Sequence, residues 1–124
     1  MTSLQFLLII FSVSLSAFAQ FVLKKGMSGP DVQAAIASGE SVQIFQRIAL
    51  SPFVVGGLFI YFLGAIVWLW VLSKTDLSQA YPFVGLGFIL TMALSIFLLG
   101  ETVSTLRVLG TFVIVIGVVM VSRS

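Results

Sequence analysis

The chain has 124 residues, 60% of them hydrophobic and only 8% charged, with six Lys or Arg against four Asp or Glu. Soluble domains carry about 25% charged residues, so this composition excludes a soluble globule and leaves room for about four bilayer-spanning helices, each of about 20 residues. With no Cys and no His, disulfides, thiolate metal sites and the usual proton shuttle near neutral pH are missing, and a net charge of +2 is too small to point to nucleic acid.

The first apolar block runs from Leu4 to Leu23. Ala17-Phe18-Ala19 within it matches a signal-peptidase site, but no Lys or Arg precedes the run and the apolar stretch continues through Phe21, Val22 and Leu23. A retained span is therefore expected. At 100° per residue, Gln5, Ser12, Ser16 and Gln20 project within about 80° of one another, and Lys24 extends that side to the membrane edge. A stripe of neutral hydrogen-bonding groups is poorly placed against lipid, so it faces another helix or a wet cavity. Ser and Gln either glue helices together or bind a passing ligand. Gln20 is the stronger candidate for binding, since a primary amide carries two donors and an acceptor.

Residues 24–50 form the one long connection. Pro30-Asp31 opens a short helical stretch that Gly39 ends, and Ser41 to Leu50 predicts a second. The segment is too short and too polar to span, and the expectation is that it lies on the membrane surface.

The second block spans about 52–72, with Ser51-Pro52 in the order of an N-cap and a first helical proline. Trp70 reads as an interfacial belt residue, while Trp68 lies deeper. The third block spans about 77–99. Asp76 and Gln79 have capping-box spacing before it, and Gly100 closes it. Inside it, Tyr81 precedes Pro82, whose missing N–H frees a carbonyl one turn back. Gly85 and Gly87 follow. Pro82, Gly85 and Gly87 act either as a hinge or as a place of close packing.

The fourth block spans about 103–121 and is capped by Thr102 or Ser104. Glu101 before it reads as a carboxylate favoured by the helix dipole. Gly110 and Gly117, seven residues apart, share one face and permit close approach of a second helix, in the same chain or in another. No block has a charge near its middle, Arg107 lying in the first turns of the fourth. Lys24, Lys25, Arg47 and Arg107 fall on one side and Lys74 and Arg123 on the other. The excess leans towards a cytoplasmic first loop with both termini outside, and it is slight enough to permit dual topology.

Taken together, Ala80-Tyr81-Pro82, Gly100-Glu101 and the Gly110/Gly117 pair resemble the drug/metabolite transporter superfamily, both its four-helix small multidrug resistance members and the EamA-type halves. The resemblance covers nearly the whole chain outside the 24–50 segment. It implies a four-helix bundle that pairs through Gly110 and Gly117, with Tyr81 in the place of the small-multidrug-resistance tyrosine. Two departures matter. Ser16 stands where proton-coupled exporters carry their essential glutamate, and Val84 stands where they carry a substrate-facing tryptophan. Gln20, and Trp68 thirteen residues before Tyr81, are similar to the branch of small bacterial subunits that flip aminoarabinose linked to undecaprenyl phosphate.

The resulting expectation is an all-α membrane protein of the bacterial inner membrane, a homodimer or a heterodimer with a related small subunit. It would translocate a polyprenyl-phosphate-linked sugar without cofactor or metal. Ser12, Ser16 and Gln20 would supply neutral hydrogen bonds and Lys24, Lys25 or Arg47 a cation for phosphate. Trp68 and Tyr81 would stack on the sugar ring. The alternatives are an exporter of small cations and a non-transporting partner subunit. No Walker-type loop is present, so this chain alone does not hydrolyse ATP.

Overall fold

A computed structural model describes residues 2–124. Seven α-helices appear among them, and no strand: α1 (Ser3–Met27), α2 (Pro30–Ser38), α3 (Ser41–Leu50), α4 (Pro52–Lys74), α5 (Leu77–Ala80), α6 (Leu86–Phe97) and α7 (Thr105–Ser122). A 3₁₀ turn, Tyr81–Gly85, joins α5 to α6. Four stretches are long and apolar enough to cross a membrane: α1, α4, the interrupted Leu77–Phe97 stretch and α7. The protein is a multi-pass helical membrane protein.

Local chemistry explains most of the boundaries. The Ser51 hydroxyl accepts the Val54 N–H at 3.4 Å with Pro52 at the first helical position, as the sequence predicts. Ser104, rather than Thr102 or Glu101, caps α7 by accepting the Arg107 N–H at 3.2 Å. The Asp76–Gln79 capping box does not form: Asp76 precedes α5 without a side-chain cap bond. The box sits instead at the start of α1, where the Thr2 N–H donates to Gln5 Oε1 at 2.9 Å and the Gln5 N–H donates to Thr2 Oγ1 at 3.2 Å. Gly100 takes φ +68°, and the Glu101 N–H returns to the Ser95 carbonyl, so the third span closes at Phe97, two residues before the expected end.

The third span is not one continuous α-helix. Pro82 cannot donate a backbone hydrogen bond, and its ring crowds the carbonyl four residues earlier, so the chain tightens to 3₁₀ from Tyr81. Gly85 ends that turn against α7. A Cβ there would lie 2.7 Å from Ile114 Cγ2 and 3.3 Å from Val118 Cγ2, so this glycine is a seat for close helix packing.

α1 lies at the centre of the bundle, antiparallel to α4. The register is fixed at Gln5, whose Nε2 donates to the Lys74 carbonyl at 2.9 Å, and at Ser12, whose hydroxyl donates to the Gly64 carbonyl at 2.8 Å. Nearer the other end, Gly57 faces Leu23 and Gly26 faces Val54. The third span runs parallel to α1, bringing the Phe6 and Phe83 rings edge to face at 5.9 Å and Val13 against Gly87. Ile9, Val13, Val71, Ala80, Phe83 and Val118 make the core, with Trp68 packed at its edge.

α7 leans on the 3₁₀ turn and α6 and leaves most of its surface uncovered, with Leu106, Phe112, Val113, Ile116 and Met120 all exposed. α2 and α3 pack together outside the bundle. Val32 and Ala35 are buried, whereas Val42, Phe45 and Leu50 remain open.

Candidate functional site

The bundle leaves a cavity of about 410 Å³ between α1, α4 and the third span. Each wall follows from helical periodicity. From α1 come Ser12, Ser16 and Gln20, which the four-residue spacing places on one side. From α4 come Tyr61, Gly64, Ala65 and Trp68; the two aromatics are seven residues apart and the small residues between them open the space. From the third span come Tyr81, Val84, Gly87, Phe88 and Thr91. None of the lining residues carries a charge.

The serine stripe divides into two kinds of residue. Ser12 is 2% exposed and commits its hydroxyl to the Gly64 carbonyl, so its donor holds α1 to α4. Gln5 likewise ties α1 to the end of α4 and does not reach the cavity. Ser16 is half-buried beside Gly64, and Gln20 is exposed further along the same face. The Gln20 amide makes no hydrogen bond among the described residues, which leaves its donors and acceptor open to the cavity. Tyr81 is 62% exposed and Trp68 half-buried, on facing walls. Trp70 lies outside the lining.

Gln20 and Thr91 also line a second pocket of about 330 Å³, whose other walls include Lys24, Ser95, Leu99 and Glu101. The two spaces therefore adjoin, the neutral cavity leading to a charged one at the end of α1. Lys24 is exposed there. Lys25 turns the other way, its Nζ 5.4 Å from the centre of the Phe53 ring, and neither Lys25 nor Arg47 lines either space. Of the three cations expected from the sequence, only Lys24 is brought to the site. Among the described residues, no group of three or more acidic, His or Cys side chains comes together to hold a metal ion.

Sequence reasoning missed Tyr61, Thr91 and the small pair Gly64-Ala65. The seven-residue spacing of Tyr61 and Trp68 was a usable signal. Thr91 had none, because its hydroxyl is occupied within its own helix, donating towards the Gly87 and Phe88 carbonyls at 2.9 and 3.2 Å. Gly110 and Gly117 lie away from the cavity on the uncovered side of α7, where an added Cβ would meet nothing within 4 Å.

Comparison with known proteins agrees with this architecture. A model of the EamA-like transporter family matches residues 1–123. The chain is 33% identical over 111 residues to the probable 4-amino-4-deoxy-L-arabinose-phosphoundecaprenol flippase subunit ArnE of Sodalis glossinidius, covering 90% of this chain and 91% of that one. It is 31% identical over 115 residues to the probable ArnF subunit of the same flippase from Proteus mirabilis, covering 90% and 86% respectively. The probable ArnF subunit of Shewanella sediminis is 31% identical over 123 residues, covering 93% of this chain and 85% of its own. No solved structure matches the chain significantly. The chain belongs to the EamA-like transporter family.

Proposed function

We propose that the protein is a subunit of a flippase that moves a polyprenyl-phosphate-linked sugar, of the aminoarabinose kind named for its relatives, across the bacterial inner membrane. The observation that carries this reading is the adjoining of an uncharged, hydroxyl- and amide-bearing cavity to a pocket with a cation at its mouth, through Gln20 and Thr91.

A lipid-linked sugar keeps its tail in the hydrocarbon while its head crosses. The head exchanges water for hydrogen bonds to neutral groups, which Ser16 and Gln20 provide without the cost of placing a charge at mid-bilayer. Trp68 and Tyr81 offer apolar ring faces to the sugar, and Lys24 attracts the phosphate at the mouth. No bond is made or broken. A proton-coupled exporter of small cations would need an acid within its cavity, and this lining contains none.

In this reading the mouth at Lys24 faces the cytoplasm, in line with the excess of Lys and Arg at that end. The exposed Val42, Phe45 and Leu50 dip into the headgroup region and anchor the 24–50 segment there. Gly110 and Gly117 on α7 meet a second small subunit, a copy of this chain or a related one. Pro82 and Gly87 let the third span bend as the head passes, while Gly85 stays packed against α7.

The test is reconstitution in liposomes that contain an undecaprenyl-phosphate-linked aminopentose, following exposure of the head group to an impermeant reagent. Transfer above protein-free liposomes supports the reading. If head groups remain on their original leaflet, with the chain alone and with a related subunit added, the reading is wrong.

A further inference from the structure

The charged pocket contains a residue that neither the helix caps nor the cavity accounts for. Glu101 does not cap α7, a role taken by Ser104. Its backbone N–H closes the third span on the Ser95 carbonyl, and this fixes the side chain's starting point beside the mouth. Glu101 and Lys24 line the same space of about 330 Å³, Glu101 contributed by the third-to-fourth span loop and Lys24 by α1. The chain's other acids are elsewhere: Asp31 and Glu40 are on the α2–α3 segment, and Asp76 is at the far end of the bundle. An opening lined by one acid and one base on separate elements, together with Ser95 and Gln20, has the charge pattern of a receptor for a zwitterion.

We propose that this pocket is an entry subsite for a head group bearing both a phosphate and a protonated primary amine, with Lys24 taking the phosphate and Glu101 the ammonium. The inference rests on the flippase reading and adds specificity to it. A neutral sugar phosphate would satisfy Lys24 and leave the exposed Glu101 carboxylate without a partner, so it forgoes the second charge-assisted contact that the amine gains. The space is of a size that suits a small ligand. Beyond it, the neutral cavity accepts the sugar once its charges have been sorted at the entrance.

The experiment uses the full chain in liposomes, with a related subunit if needed, and two probes: undecaprenyl-phosphate-linked 4-amino-4-deoxypentose and its N-acetylated form. Both keep vicinal hydroxyls, so periodate added outside reports on head-group exposure for either. The wild type should transfer the free amine at least about tenfold faster than the N-acetyl form, the discrimination expected for one charge-assisted contact. Glu101→Gln should slow the amine and bring the two rates together. Lys24→Gln should slow both by a similar factor, because both carry the phosphate. Equal wild-type rates overturn the subsite and leave the flippase reading standing, and they do so without any variant, even if Glu101→Gln fails to fold. Retained tenfold preference in Glu101→Gln, or equal slowing of both probes, also overturns it. If the wild type transfers neither probe, the flippase reading falls, and the subsite with it.

Discussion

Gly56 and Gly57 are neighbours on α4 with opposite surroundings, and replacing each in turn by Ala isolates a single packing term. A Cβ on Gly57 would lie 2.8 Å from Leu23 Cγ, 2.9 Å from Leu23 Cδ2 and 3.1 Å from the Leu23 backbone nitrogen. A Cβ on Gly56 would meet nothing within 4 Å. Both substitutions gain the same helix propensity, about 1 kcal/mol, so the difference between them is the cost of overpacking. Leu23 can turn its side chain aside, but its backbone nitrogen cannot move without shifting α1. We therefore expect Gly57→Ala to be less stable than Gly56→Ala by about 1–3 kcal/mol. Adding Leu23→Ala should recover the side-chain part, so that the double variant is more stable than the two single changes predict. Reversible unfolding in mixed micelles, followed by the fluorescence of Trp68 and Trp70, measures the wild type, the three single variants and the double variant. Equal stability of Gly56→Ala and Gly57→Ala, within about 0.5 kcal/mol, would refute the α1–α4 register.

Ser12→Ala removes the donor to the Gly64 carbonyl and should cost about 0.6 kcal/mol, and at most about 1.7, in the same unfolding assay. A Cβ at Gly110 or Gly117 meets nothing within 4 Å in the chain, so in Gly110→Leu and Gly117→Leu monomer stability should hold while cross-linked dimers in membranes diminish. Unchanged dimer yield in both would move the pairing surface off this side of α7. Gln20→Leu should sharply reduce translocation at normal expression, because Gln20 belongs to both the cavity and the charged pocket. Wild-type transfer by that variant would return Gln20 to a packing role.

The sequence alone made the four apolar blocks, the Ser51-Pro52 start of α4 and the α1 stripe readable, because each depends on local composition or on the 3.6-residue repeat. What failed to read out depended on partners distant in the chain. Gln5 belongs to the stripe by angle, yet its amide is taken by Lys74, 69 residues away. The Asp76–Gln79 spacing promises a cap, but Pro82 a turn later reduces α5 to four residues and the cap is not made. The choice among Lys24, Lys25 and Arg47 could not be made from adjacency. Lys24 and Lys25 are consecutive and so point about 100° apart on α1, one lining the charged pocket and the other lying over Phe53. Tyr61 and Thr91 entered the site only once α4 and the third span had been set against α1.

The unequal lengths of the first and last spans have a consequence for the surrounding lipid. At 1.5 Å per residue, the 25 residues of α1 extend about 37 Å and the 18 of α7 about 27 Å, against a hydrocarbon core of about 30 Å. A bilayer adjusts to a short apolar helix by thinning beside it, at a cost of a fraction of a kcal/mol per Å. The membrane is thus expected to draw in along α7, and the second subunit proposed for that face would shrink the thinned annulus. Relief of this deformation would favour association in its own right, and more strongly in thicker bilayers. Acyl-chain length would then be a control on the proposed pairing, independent of any contact between the protein surfaces.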